Sequence, residues 1–160
     1  MPFSKKEKKL SQKDAYLKIS AWCAYQERCH QEVRSKLYEY GLMTDEIDEL
    51  IFKLISENFL NEERFARAYA GGKFRMKKWG RLKIKNELKM RDISNNCLKA
   101  AMEEISDEDY FETIRQLIEK KEAEYKSEKN DFLRKRKVAE SIVRKGFESD
   151  LVWEILKSEE

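Results

Sequence analysis

The sequence predicts an all-α protein built from tandem three-helix repeats, three copies and about nine helices, stacked into an elongated curved body. Three observations lead there. Charged residues make up 41% of the chain, well above the usual share of about a quarter. Proline occurs once and glycine five times in 160 residues, so little interrupts helix formation. One apolar pattern also recurs three times, and repetition at a fixed spacing signals a repeat architecture.

The pattern is clearest in the first copy, at Val33, Leu37, Gly41, Leu42, Thr44, Ile47, Leu50 and Ile51. The second copy lies 51 residues on, at Ile84, Leu88, Asp92, Ile93, Asn95, Leu98, Ala101 and Met102. A further 54 residues on come Val138, Ile142, Gly146, Phe147, Ser149, Val152, Ile155 and Leu156. Residues four apart share a helical face, so each copy reads as helix, turn, helix. A competing reading is an irregular nine-helix globule. Register and caps recur together, which favours true repetition.

Residues 1–12 form a basic lead-in. The first repeat, 13–60, opens with a helix whose apolar face is Ala15, Ile19 and Trp22. Gly41 then offers a left-handed stop, with Leu42 folding back as its apolar contact, and Thr44 is expected to cap the next helix. The second repeat, 61–105, starts at Asn61, a capping residue, before Phe65, Ala66 and Tyr69. Gly71 and Gly72 weaken that helix. Asp92 stands where glycine stands in the other copies, so a different turn is expected there, followed by Asn95 as cap. The third repeat, 106–160, begins with Ser106 and Asp109 spaced as a capping box. Its first helix carries Tyr110, Ile114 and Leu117 and runs on as a charged stretch through Glu122 and Tyr125. Gly146 is the second glycine stop, Phe147 its contact, and Ser149 the expected cap of the last helix.

No run approaches the roughly 20 apolar residues that a membrane span needs. Three cysteines, Cys23, Cys29 and Cys97, fit reduced thiols better than a disulfide framework. A cytoplasmic monomer without membrane association is expected. Catalysis is poorly supported. The single histidine, His30, adjoins Cys29, but neighbours on a helix point different ways and nothing is placed to orient the ring. Zinc-ligand spacings are absent, and Gly71-Gly72-Lys73 lacks the rest of a phosphate-binding loop. Paired acids such as Asp45-Glu46 and Glu103-Glu104 suit first helical turns and solvated faces. No enzyme activity, metal or cofactor is expected.

The segment from Lys73 to Arg91 is the strongest functional signal. It holds nine bases and one acid, Glu87, hence +8, while the whole chain is +3. Everything outside it therefore nets −5. Phe74 and Trp79 are interleaved with the bases, and Trp79-Gly80 falls at a helix junction. A concentrated basic surface on a mildly acidic body suits a phosphate backbone or an acidic protein groove. The competing reading is a solvated lysine-rich face. The candidate binding residues are Lys73, Arg75, Lys77, Lys78, Arg81, Lys83 and Lys85. A weaker basic run, Arg134 to Lys137, is expected to continue the stripe.

The middle copy also carries Phe59-Leu60-Asn61-Glu62-Glu63-Arg64-Phe65-Ala66, then Lys78-Trp79-Gly80, Lys83-Ile84, Glu87-Leu88 and Ile93. With Lys36-Leu37 before Gly41 and the Gly146-Phe147 pair, this resembles the RecX regulatory family from about Ala15 to Leu156. Asn58 and Asp92 depart from the family's usual glycines at two turns. The resemblance implies a bacterial cytoplasmic modulator that binds along the filament of RecA recombinase on single-stranded DNA and inhibits its activities. Single-stranded DNA is then a candidate direct contact. The alternative is a stand-alone nucleic-acid-binding protein whose helix–turn–helix units dock on DNA themselves.

Overall fold

The computed structural model describes residues 9–158, so Lys5, Lys6 and Lys8 of the basic lead-in lie outside them. Nine helices and no strand occur among the described residues. In order they are α1 (Gln12–Tyr25), α2 (His30–Glu39), α3 (Thr44–Ser56), α4 (Glu62–Lys77), α5 (Arg81–Met90), α6 (Asn95–Met102), α7 (Asp107–Glu124), α8 (Asp131–Val143) and α9 (Ser149–Ser158). The chain forms two compact units, one ending at Ala66 and the other beginning at Arg67, so their boundary falls within α4.

In the first unit α1, α2 and α3 pack against one another. The repeat positions Val33, Leu37 and Ile47 are fully buried, with Ile19 and Leu54 beside them, each worth roughly 2 kcal/mol of transfer free energy. Trp22 is half-buried, and its ring carries the Arg28 guanidinium at 3.8 Å. Ser11 caps α1 through the Asp14 amide. Just before it, the Leu10 amide donates to the Tyr40 carbonyl at 3.0 Å, and Lys9 pairs with Glu46 at 2.9 Å.

The middle turn does not differ as the sequence suggested. Gly41 has φ +87° and Asp92 φ +57°. The Gly41 amide donates to Tyr38 O at 2.9 Å and that of Leu42 to Leu37 O at 3.3 Å; Asp92 to Lys89 O and Ile93 to Leu88 O repeat the pattern at 3.0 and 3.2 Å. This is the Schellman closure, and burial of Ile93 together with two backbone bonds holds Asp92 in a conformation it would otherwise avoid. Asn58 does the same at the end of α3, with φ +65°.

The expected caps need a correction of one residue. Thr44, Asn95 and Ser149 are the first residues of their helices, not the N-caps. The residue that follows each buried apolar contact takes the cap directly. Met43 has its amide covered by Glu46 Oε1 at 2.9 Å. Ser94 Oγ accepts from the Cys97 amide at 3.3 Å, and the Glu148 carbonyl receives the Val152 amide at 3.0 Å. Asn61 and Ser106 cap as expected, through the amides of Arg64 and Asp109.

In the second unit α5 packs on α6, and α7, α8 and α9 pack mutually. Ile84, Leu88, Val138, Ile142 and Phe147 are fully buried. Tyr110, also fully buried, contacts two rings, Phe74 at 5.9 Å and Phe147 at 5.1 Å between centroids.

Candidate nucleic-acid and partner interface

The basic segment is shaped by the way α4 ends. Lys78, not a glycine, adopts the left-handed conformation, with φ +56°. Its amide donates to Phe74 O at 3.1 Å and that of Trp79 to Lys73 O at 3.3 Å. Gly80 is extended, with φ −80° and ψ 169°, and stands as N-cap of α5. Glycine is needed there for proximity: an added Cβ would fall 2.3 Å from the Gly146 carbonyl carbon. The Gly80 amide donates to Lys145 O at 2.8 Å and the Leu82 amide to Gly146 O at 3.0 Å. The turn before α5 is thus clasped to the turn before α9.

Arg81 belongs to this clasp. Its guanidinium pairs with Asp107 at 2.6 Å and Glu148 at 3.6 Å and lies 3.8 Å over the Tyr110 ring. Its amide donates to the Tyr110 hydroxyl at 3.0 Å, which donates to Glu148 Oε1 at 2.5 Å. Burial and the Glu148 hydrogen bond raise the Tyr110 pKa further above its usual range. Of the seven candidate residues, Arg81 is therefore the one turned inward to hold the fold.

The other six behave differently. Among the described residues, ion pairs engage Arg81 and Arg91 but none of Lys73, Arg75, Lys77, Lys78, Lys83 or Lys85. Arg75, Lys77 and Lys78 are exposed, whereas Lys73, Lys83 and Lys85 are partly buried. The Arg75 guanidinium reaches back over Gly71, where a Cβ would meet it at 2.7 Å. Two aromatic rings gather cations from several elements. Lys83 and Lys73 lie 4.4 and 5.0 Å from the Trp79 centroid, while Lys73 and Arg91 lie 5.4 and 4.8 Å from that of Tyr69. Tyr69 and Trp79 meet edge to face at 6.4 Å. Such stacks hold lysine heads in place without neutralising them.

Sequence reasoning missed Lys145, which the clasp adds, and Lys120 and Lys121, whose charges act on it. Burial, then the charges of Lys121, Lys120, Lys83 and Lys78, lowers the pKa of Lys145. Three of these five lysines come from the third repeat. The one local hint is that Lys145 immediately precedes Gly146-Phe147. The run Arg134 to Lys137, in contrast, does not extend an unneutralised stripe. Arg134 and Lys135 pair with Asp131, Arg136 with Glu140 and Lys137 with Glu128.

Two of the three thiols are quiet. Cys23 and Cys29 are buried, and burial pushes both up to about 11, so neither is a thiolate nucleophile at neutral pH. Among the described residues no group of three or more His, Cys, Asp or Glu side chains could hold a metal ion. No helix there is long and apolar enough to cross a membrane.

Three-helix units joined in tandem, with an unneutralised lysine and aromatic surface at a helix junction, define a repeat-built helical scaffold. The comparisons with known proteins make the class specific. The family models for the second and third three-helix domains of RecX match residues 61–102 and 107–156, and the chain belongs to the RecX family. It is 29% identical over 139 residues to the regulatory protein RecX of Bacillus cytotoxicus, covering 86% of this chain and 51% of that protein. The RecX of Bacillus anthracis gives the same figures, 29%, 86% and 51%. The chain thus spans about half the length of the curated relatives it matches. The crystal structure of RecX from Lactobacillus salivarius aligns with a TM-score of 0.83 at 26% identity, over 92% of this chain and 95% of that one. A second RecX crystal structure, at 22% identity and a TM-score of 0.81 over 92% and 71% of the two chains, shares the fold.

Proposed function

We propose that this chain is a cytoplasmic, non-catalytic regulator that binds the filament of RecA on single-stranded DNA as a monomer and inhibits the recombinase. The observation that carries the reading is the unpaired basic surface of the middle repeat in a chain of the RecX family. Lys73, Arg75, Lys77, Lys78, Lys83 and Lys85 meet no carboxylate of their own among the described residues, so their charge is available to an external anion. Arg81 contributes by holding the junction that presents them.

The filament supplies two kinds of anion, the DNA phosphates and acidic recombinase surfaces, and either would be recognised through salt-sensitive contacts. Binding to a preformed filament and to bare single-stranded DNA, compared at one salt concentration, tests the reading. Tighter association with the filament is expected. Equal binding to both would favour a stand-alone nucleic-acid-binding protein instead.

A further inference from the structure

We propose that Lys78, Lys83, Lys120, Lys121 and Lys145 form one seat for the phosphate backbone of single-stranded nucleic acid, assembled where the turn after α4 docks on the turn after α8. This deepens the function proposed above and rests on it only for the setting in which the strand is met.

The seat is held by main chain, not by the charges it gathers. Gly80 N–H to Lys145 O at 2.8 Å and Leu82 N–H to Gly146 O at 3.0 Å fix the two turns. The approach is close enough that a Cβ on Gly146 would come within 2.4 Å of Lys83 Cβ. Lysines from α5 and from both turns are therefore forced together against their mutual repulsion, and α7, which carries Lys120 and Lys121, packs on α8, which ends two residues before Lys145. The repulsion is felt at Lys145, whose pKa falls under burial and the charges of the other four. Lys121 has a partial counter-charge in Glu124 at 2.9 Å. A polyanion entering such a field relieves repulsion and releases its own counterions.

One observation favours a nucleic-acid strand over an acidic protein surface. Tyr69 and Trp79 lie within the cation array, with Lys73 and Lys83 against Trp79, and charged tracks set with aromatic rings suit single strands. The start of α5 does not hold the anion, because its Arg81 and Leu82 amides already donate to the Tyr110 hydroxyl and the Gly146 carbonyl.

The test is fluorescence anisotropy of a labelled oligothymidylate with the full chain and with K120Q/K145Q, across a salt series. The variant is expected to bind about tenfold more weakly at moderate salt. Its log–log salt dependence should be shallower by about 1.4, from about 0.7 for each of two lost phosphate contacts. It should melt no earlier than the parent, since only repulsion is removed, and K120R/K145R should restore affinity. Unchanged affinity and slope, or a parent that does not bind the bare strand, would overturn the seat. Filament binding lost with bare-strand binding intact would also overturn it, assigning these lysines to an acidic protein surface. Bare-strand binding lost by the variant, with a parent that ignores the filament, would uphold the seat and remove the filament reading.

Discussion

Gly80 and Gly146 meet backbone to backbone, so that neither position has room for a side chain. A Cβ on Gly80 would lie 2.3 Å from the Gly146 carbonyl carbon, and one on Gly146 would lie 2.4 Å from Lys83 Cβ. Gly146 is also left-handed, at φ +102°. The contact joins the middle repeat to the last and fixes the basic junction.

Gly80→Ala is therefore expected to cost about 2–4 kcal/mol, because the clash is with main chain that cannot move aside. Gly146→Ala should cost at least as much, with left-handed strain added. Gly72→Ala is the contrast. Space around Gly72 is open, the residue lies within α4, and the substitution should stabilise by about 0.5–1 kcal/mol. Urea denaturation of the three variants measures the difference.

Asp92 at φ +57° keeps a turn that glycine makes without strain. Asp92→Gly should raise stability by about 1 kcal/mol, read as a higher denaturation midpoint at unchanged slope. A loss of stability would show that the aspartate side chain contributes something its backbone geometry does not reveal.

Tyr110→Phe removes the hydroxyl that joins the Arg81 amide to Glu148. The ring contacts to Phe74 and Phe147 survive, so the cost should come from the orphaned amide, about 1–3 kcal/mol. A neutral result in urea would mean that the Arg81 amide finds another acceptor.

Much of this was legible in the chain. The spacing of Val33 and Leu37, of Ile84 and Leu88, and of Val138 and Ile142 identified the buried faces, because helical periodicity is a local property. The caps were misplaced by one residue because Leu42, Ile93 and Phe147 act as the last buried contact and leave the cap to their immediate successor. The Asp92 turn was misjudged because local preference was overruled by the burial of Ile93. At the site, charge counting located the basic segment but could not separate Arg81, which faces Asp107 and Glu148, from the lysines beside it. Nor could it bring Lys145 to Lys78 and Lys83, since that depends on how two distant turns dock.

His30 titrates below its ordinary 6.5 because burial disfavours the imidazolium, with Glu62 partly opposing and Arg34 reinforcing. The unfolded chain then holds more proton than the native one between the lowered value and 6.5. The stability that this group confers is full above about 6.5 and is lost as pH falls through that window. His30→Gln should lose less stability than the parent between pH 7 and pH 5, followed by thermal melts. Parallel curves would contradict this.

The most direct test of the central claim is single-stranded-DNA-dependent ATP hydrolysis by the RecA filament, titrated with this chain and with K77E/K83E/K85E. Arg81 is left intact because it holds Asp107 and Glu148. The parent chain is predicted to suppress hydrolysis. The variant, with an unchanged helical circular-dichroism signal, should require at least about tenfold more protein, a loss of about 1.4 kcal/mol. Suppression by the variant at the parent's concentrations, or no effect of the parent at all, would contradict the account.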